Sequence, residues 1–312
     1  MKFGVTTYLW SAEFGASQLS ILPHIKELGF DGAEVPLFRP RDFPAGRIRR
    51  AFEAERLACV ASSVLTGDLS LISDEVSVRR RTGQHLEEVV RAAAAAGATL
   101  VAGPLYSPVG LLVGRRRTDD EWHRAVEGLQ ALGPTLASCN VTLAIEPLNR
   151  FETYFINRGA QALALAEATG PDCGVCLDAF HINIEEKDPL QAIRDVGSRL
   201  ATFHVADNNR MPAGHGTWNW PKLIETLRSV GYDGALTAEF VAPIDRTPAN
   251  PFPNALETEP VDISPEQLKF IREHGSSLLS ESFYDWLVEE NAKTLLPLIG
   301  KARPLVSVAG RA

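Results

Sequence analysis

The chain has 312 residues, 45% of them hydrophobic and 22% charged, with a formal net charge of −8. That composition supports a large buried core and excludes collagen-like and intrinsically disordered classes. The acidic balance argues against a nucleic-acid or membrane-surface partner, which would repel it.

The start, MKFGVTTYLW, carries one lysine and no apolar run of signal-peptide length. Nor does any later stretch approach the roughly 18 apolar residues of a membrane span, so a cytoplasmic location is expected. From residue 3 onward, eight short β-like runs recur: FGVTTYLW (3–10), GAEVPLF (32–38), LACVASSVL (57–65), TLVAGPLY (99–106), VTLAIEPL (141–148), CGVCLDAF (173–180), LATFHVAD (200–207) and GALTAEFV (234–241). Helix-patterned segments lie between them, among them LSILPHIKELGF, VRRRTGQHLEEVVRAAAAAG, EWHRAVEGLQALGPTLASC, AQALALAEATG and WPKLIETLRSVGY. Several end in a glycine just before the next strand, as helix C-caps do. Eight strand–helix alternations predict an α/β fold, a parallel (β/α)8 barrel, and one such barrel takes roughly 250 residues. A single domain over residues 1–312 is therefore expected, with the barrel strands within 3–241. After strand 8, residues 243–265 hold six prolines and predict an irregular, stiffened loop, followed by C-terminal helices that close the outer ring.

Four cysteines are present. Cys173 and Cys176 form a C-x-x-C pair, but on a strand they face opposite ways and no second pair completes a zinc site. With Cys59 and Cys139 they are read as core thiols.

Strand parity locates the chemistry. In strand 5 the bulky Val141, Leu143 and Ile145 share one face and the small Thr142 and Ala144 share the other with Glu146. The same phase carries Asp178 in strand 6, His204 in strand 7 and Glu239 in strand 8. Each stands near a strand's carboxyl end, where barrel enzymes place their active sites. One such residue is ordinarily structural; four in phase are not. Three carboxylates this close repel one another unless a cation lies among them. The donor set suits one divalent ion per subunit, such as Mn²⁺, Co²⁺, Mg²⁺ or Zn²⁺.

The stretches IEPLNRFET, LDAFHINIEE, FHVADNNRMPAGHG, YDGALTAEF and GPLYSPVG resemble motifs of the xylose isomerase-like TIM barrel superfamily, and within it the ketose 3-epimerases that act on tagatose, fructose and psicose (allulose). The likeness spans most of residues 1–241 and weakens in the proline-rich tail. It implies metal-dependent epimerisation at carbon 3 of a free ketose through an enediolate, with Mn²⁺ the expected ion and a homodimer or homotetramer as the assembly. Glu146 and Glu239 would both bind the ion and move the proton. Glu152, His181 and Arg210 would hold the oxygens on carbons 1 to 3, each carried by a loop that follows a ligand-bearing strand. Tyr8, Trp10, Phe38, Tyr106 and Trp218, near strand ends, are candidates for an apolar wall against the sugar. Related metal-dependent isomerases, inosose dehydratases and 3-oxo-glycoside lyases share such barrels and form the alternative reading. An abasic-site endonuclease of the same superfamily would need a basic groove and more histidine ligands than seven histidines supply.

Overall fold

The computed structural model describes residues 1–11, 14–239 and 281–301. Among these, eight parallel strands close on themselves in sequence order: β1 (Lys2–Thr6), β2 (Gly32–Pro36), β3 (Ala58–Ser62), β4 (Leu100–Gly103), β5 (Thr142–Ile145), β6 (Cys173–Asp178), β7 (Leu200–Val205) and β8 (Ala235–Ala238). The expected (β/α)8 barrel is the fold. Its outer layer consists of α1 (Ile21–Glu27), α2 (Ala45–Glu55), α3 (Val76–Ala95), α4 (Asp119–Gln130), α5 (Gly133–Cys139), α6 (Gly159–Thr169), α7 (Ala179–Glu185), α8 (Pro189–Val196), α9 (Trp220–Ser229) and α10 (Glu281–Leu298). No described helix is long and apolar enough to cross a membrane.

Alternation along each strand divides the core in two. The outward phase, including Val101, Leu143, Val175, Leu177 and Phe203, joins the large apolar layer beneath the helices. The inward phase of β4 to β6 is small: Ala102, Ala144 and Cys176 form a separate buried cluster. Small residues there leave room at the barrel axis for the polar side chains above them.

The structure departs from the expected element limits in three places. The segment 121–139 forms two helices because Gly133 and Pro134 interrupt it, proline supplying no N–H to the helical ladder. α4 also begins earlier, at Asp119, where Thr118 and Glu121 form a reciprocal capping box and three acids complement the helix dipole. The sixth β-like run stops at Asp178, and Ala179 and Phe180 open α7. Of the cysteines, Cys59, Cys173 and Cys176 are buried, whereas Cys139 is only partly so, at the end of α5. The proline-rich segment and the first expected C-terminal helix lie outside the described residues. The last one is α10, which buries Leu287, Val288, Leu295 and Leu296 and packs on α9.

Candidate active site

The strand register places the four in-phase residues side by side. Asp178 pairs with His204 between β6 and β7, and His204 pairs with Thr237 two residues before Glu239. Glu146 follows β5 directly, with its backbone N–H donating to Gly103 O at 3.1 Å. Gly103 has φ 133°, and a Cβ there would stand 2.1 Å from Ser63 O, so only glycine lets β4 approach closely enough to hold Glu146 this way. Tyr106 supports the same residue from behind, its hydroxyl donating to Glu146 O at 3.0 Å.

One donor atom from each of Glu146, Asp178, His204 and Glu239 lies within 4.8 Å of every other. That spread is about twice a metal–oxygen bond of roughly 2.0–2.6 Å, the separation expected of ligands around one ion. Three of the four residues also contribute a buried atom without a hydrogen-bond partner: Asp178 Oδ2, His204 Nδ1 and Glu239 Oε2. His204 Nδ1 and Glu239 Oε2 approach to 2.5 Å yet are not aligned as donor and acceptor. Buried polar atoms are rarely left unsatisfied. Here they converge, and a divalent cation fits the set.

Electrostatics point the same way. Burial, then the Glu239 and Glu146 charges, push the Asp178 carboxyl up to about 8. Burial likewise raises Glu146 against the opposing pull of His204. Burial opposes charge on Glu239 too, but His204 and Arg210 overcome it and hold the carboxyl down at about 2. His204 resists charging through burial, yet the Glu34 and Glu239 carboxylates keep it well above the ordinary imidazole range. Without a cation the site thus holds extra protons to limit repulsion between its acids. Cys176 also comes within ligand reach of Glu146 and His204. Burial pushes its thiol far up, so it stays neutral beneath the cluster.

Glu152, His181 and Arg210 meet in a second group beside the first. Arg210 Nη1 lies 3.5 Å from Glu152 Oε1, its Nη2 lies 3.5 Å from His181 Nε2, and its guanidinium sits 4.4 Å from the centre of the Phe180 ring. His181 Nδ1 accepts from the Asn149 backbone N–H at 3.2 Å and approaches the Asn149 side-chain amide at 2.9 Å. Since a backbone N–H can only donate, the proton of neutral His181 is on Nε2, 3.9 Å from Glu146 Oε1. Burial and Arg210 lower His181 to about 3, so it is a neutral donor. Arg210 has φ 60°, and its Nε is buried without a partner.

Four residues that sequence reasoning passed over organise these groups. Asn149 donates its amide to Glu152 Oε1 at 2.9 Å and so couples Glu152 to His181. Glu185 receives a bidentate contact from Arg150, fixing the turn before Glu152. Asp207, wholly buried, anchors the loop that carries Arg210. Glu34 on β2 contacts His204 Nε2 at 3.1 Å. A signal for Glu34 was present: like Glu146, it interrupts an apolar strand, GAEVPLF.

The aromatic candidates divide. Tyr106 has no exposed surface and packs on Phe155, so it is a core strut and not a wall. Tyr8, 53% exposed, meets Phe38 edge-on at the turn after β1. Trp10 and Trp218 are half-buried, and the indole N–H of each lacks a partner.

A profile of the xylose isomerase-like TIM barrel family matches residues 22–274. An L-ribulose 3-epimerase of Mesorhizobium japonicum is 32% identical over 240 residues, 76% of this chain and 80% of that protein. A probable ketose 3-epimerase of Synechocystis sp. is 30% identical over 240 residues, 77% and 84% of the two chains. A solved L-ribulose 3-epimerase structure superposes with a TM-score of 0.78 at 26% identity, covering 96% of this chain and 94% of its own.

Proposed function

The chain belongs to the xylose isomerase-like TIM barrel family, and from that footing we propose that it is a metal-dependent carbohydrate isomerase that epimerises carbon 3 of a free ketose. The observation that carries the reading is the convergence of buried, unpartnered atoms from Asp178, His204 and Glu239 beside Glu146. Those four residues would hold one divalent ion, with Mn²⁺ the expected metal. When bound, the ion supplies positive charge that polarises the ketose and stabilises the enediolate left when the C3 proton departs.

The chain's own residues supply the rest. Glu146 and Glu239 would help to hold the ion and, as carboxylates, can also exchange a proton with the sugar. They descend from β5 and β8, three strands apart in a ring of eight, and so flank carbon 3 from different sides. One removes the proton and the other returns one to the opposite face, which inverts the centre. Neutral His181 donates Nε2–H toward a sugar oxygen. Arg210 and Glu152, held close to each other and to His181, orient neighbouring hydroxyls. Glu146, Asp178, His181 and His204 are buried, which strengthens the contacts they make.

The test is a panel of ketohexoses and ketopentoses incubated with metal-stripped protein and with protein supplied with Mn²⁺, the products being resolved by stereochemistry. Mn²⁺-dependent formation of the C3 epimer supports the reading. Turnover of an inosose or keto-glycoside alone, or full activity without metal, overturns it.

A further inference from the structure

We propose that Glu34 is a positioning residue for His204: its carboxylate accepts the imidazole Nε2–H and so holds the ring with Nδ1 directed at Glu146, Asp178 and Glu239. The inference rests on the metal-site reading above and adds a residue to it.

Glu34 and His204 are each 2% exposed, and their side chains meet at 3.1 Å, Oε2 to Nε2. They come from β2 and β7, which are not neighbours in the barrel, so the contact crosses its interior. The register row from His204 runs through Thr237 on β8 and Gly4 on β1 to Gly32 on β2. Neither glycine projects a side chain. Glu34, the next inward position along β2, reaches the imidazole over them.

An ionised carboxylate only accepts, so the nitrogen facing it carries a proton. The opposite arrangement would set an imidazole lone pair against a carboxylate oxygen and aim an N–H at the ion's place. Nδ1 is buried and lacks a hydrogen-bond partner, as a metal-directed nitrogen should. Metal-bound histidines commonly donate their other N–H to a carboxylate, and losing that partner typically weakens metal binding by about 10–100-fold.

The experiment uses the full chain, with Glu34→Met, which keeps side-chain volume without an acceptor, and Glu34→Gln, whose amide oxygen can still accept. Mn²⁺ affinity is measured by calorimetry. NMR of the Co²⁺-loaded proteins follows the exchangeable, hyperfine-shifted imidazole N–H of the ligand histidine, identified by its loss in His204→Asn. In the native protein that N–H should exchange slowly with water. Glu34→Met should lose about 10–100-fold in Mn²⁺ affinity and give fast N–H exchange; Glu34→Gln should lose several-fold and keep slow exchange. If Glu34→Met fails to fold, Glu34→Gln decides: native Mn²⁺ affinity in it overturns the proposal. Native affinity and slow exchange in folded Glu34→Met also overturn it, leaving the metal site intact. Absence of Mn²⁺ binding by the native chain would instead refute the metal-site reading along with this one.

Discussion

Asp207→Asn should destabilise the protein by about 2–4 kcal/mol and loosen the loop that presents Arg210. Asp207 is fully buried, and each carboxylate oxygen takes two donors. Oδ1 accepts from Asn208 N at 2.9 Å and Trp218 N at 3.1 Å; Oδ2 accepts from Gly214 N at 3.0 Å and Trp220 Nε1 at 2.9 Å. Its backbone closes the turn as well, its carbonyl accepting from Arg210 N at 2.9 Å. A Cβ at Gly216 would come within 2.2 Å of Oδ1, so the loop wraps too tightly for any other residue there. An amide replaces one oxygen by an NH2 group that faces two donors. Each orphaned donor costs about 1–3 kcal/mol, with water relieving the more exposed ones but not Trp220, which is 2% exposed. Urea unfolding at saturating Mn²⁺ gives the stability difference, and hydrogen exchange at Gly214, Trp218 and the Trp220 indole locates it. KM for the ketose should rise while Mn²⁺ affinity is kept, because His204 is anchored in β7, outside the loop. A stability change below about 0.5 kcal/mol with native exchange at all three sites would refute the reasoning.

Arg210→Ala should lower kcat/KM at saturating Mn²⁺ by about 30-fold, equivalent to roughly 2 kcal/mol; a value within two-fold of native would remove Arg210 from substrate binding. Between about pH 6.5 and 8 the metal-free protein should lose stability as pH rises; at lower pH, His181, lowered to about 3 in the fold, works in the opposite direction. Asp178 is raised to about 8 in the fold, whereas unfolded aspartate titrates near about 3.9, so between those values the native state holds the extra proton. His204, also raised, acts in the same direction above its unfolded value of about 6.5. Mn²⁺ must displace these protons, so its effect on Tm should be larger at pH 8 than at pH 5.5; thermal melts with and without Mn²⁺ check this, and an equal or reversed effect contradicts it.

The barrel and its four-residue cluster were legible because strand parity is strict. Once the runs around Glu146, Asp178, His204 and Glu239 were phased, a period of two placed all four on the axis. Boundaries were less legible where one residue serves two elements. Asp178 ends β6 and caps α7, its Oδ1 accepting from Phe180 N at 2.6 Å, so LDAF reads as strand although helix has begun. Asn149 and Asp207 left no periodic signal. They stand in loops, and their roles exist only through partners brought close by the closed ring. Glu34 obeyed the same parity rule as the cluster, but its partner lies 170 positions away, across the barrel.

The claim that two opposed glutamates move the C3 proton is tested most directly by NMR of sugar recovered after a single turnover in D₂O. The epimerised product should carry deuterium at carbon 3 and little at carbon 1. Glu146→Gln and Glu239→Gln, each shown to retain metal, should both stop epimerisation, with one still exchanging the C3 proton of one epimer through the surviving carboxylate. Deuterium only at carbon 1, or conversion with the original proton retained at carbon 3, would contradict the account and replace it with an aldose–ketose or hydride-shift mechanism.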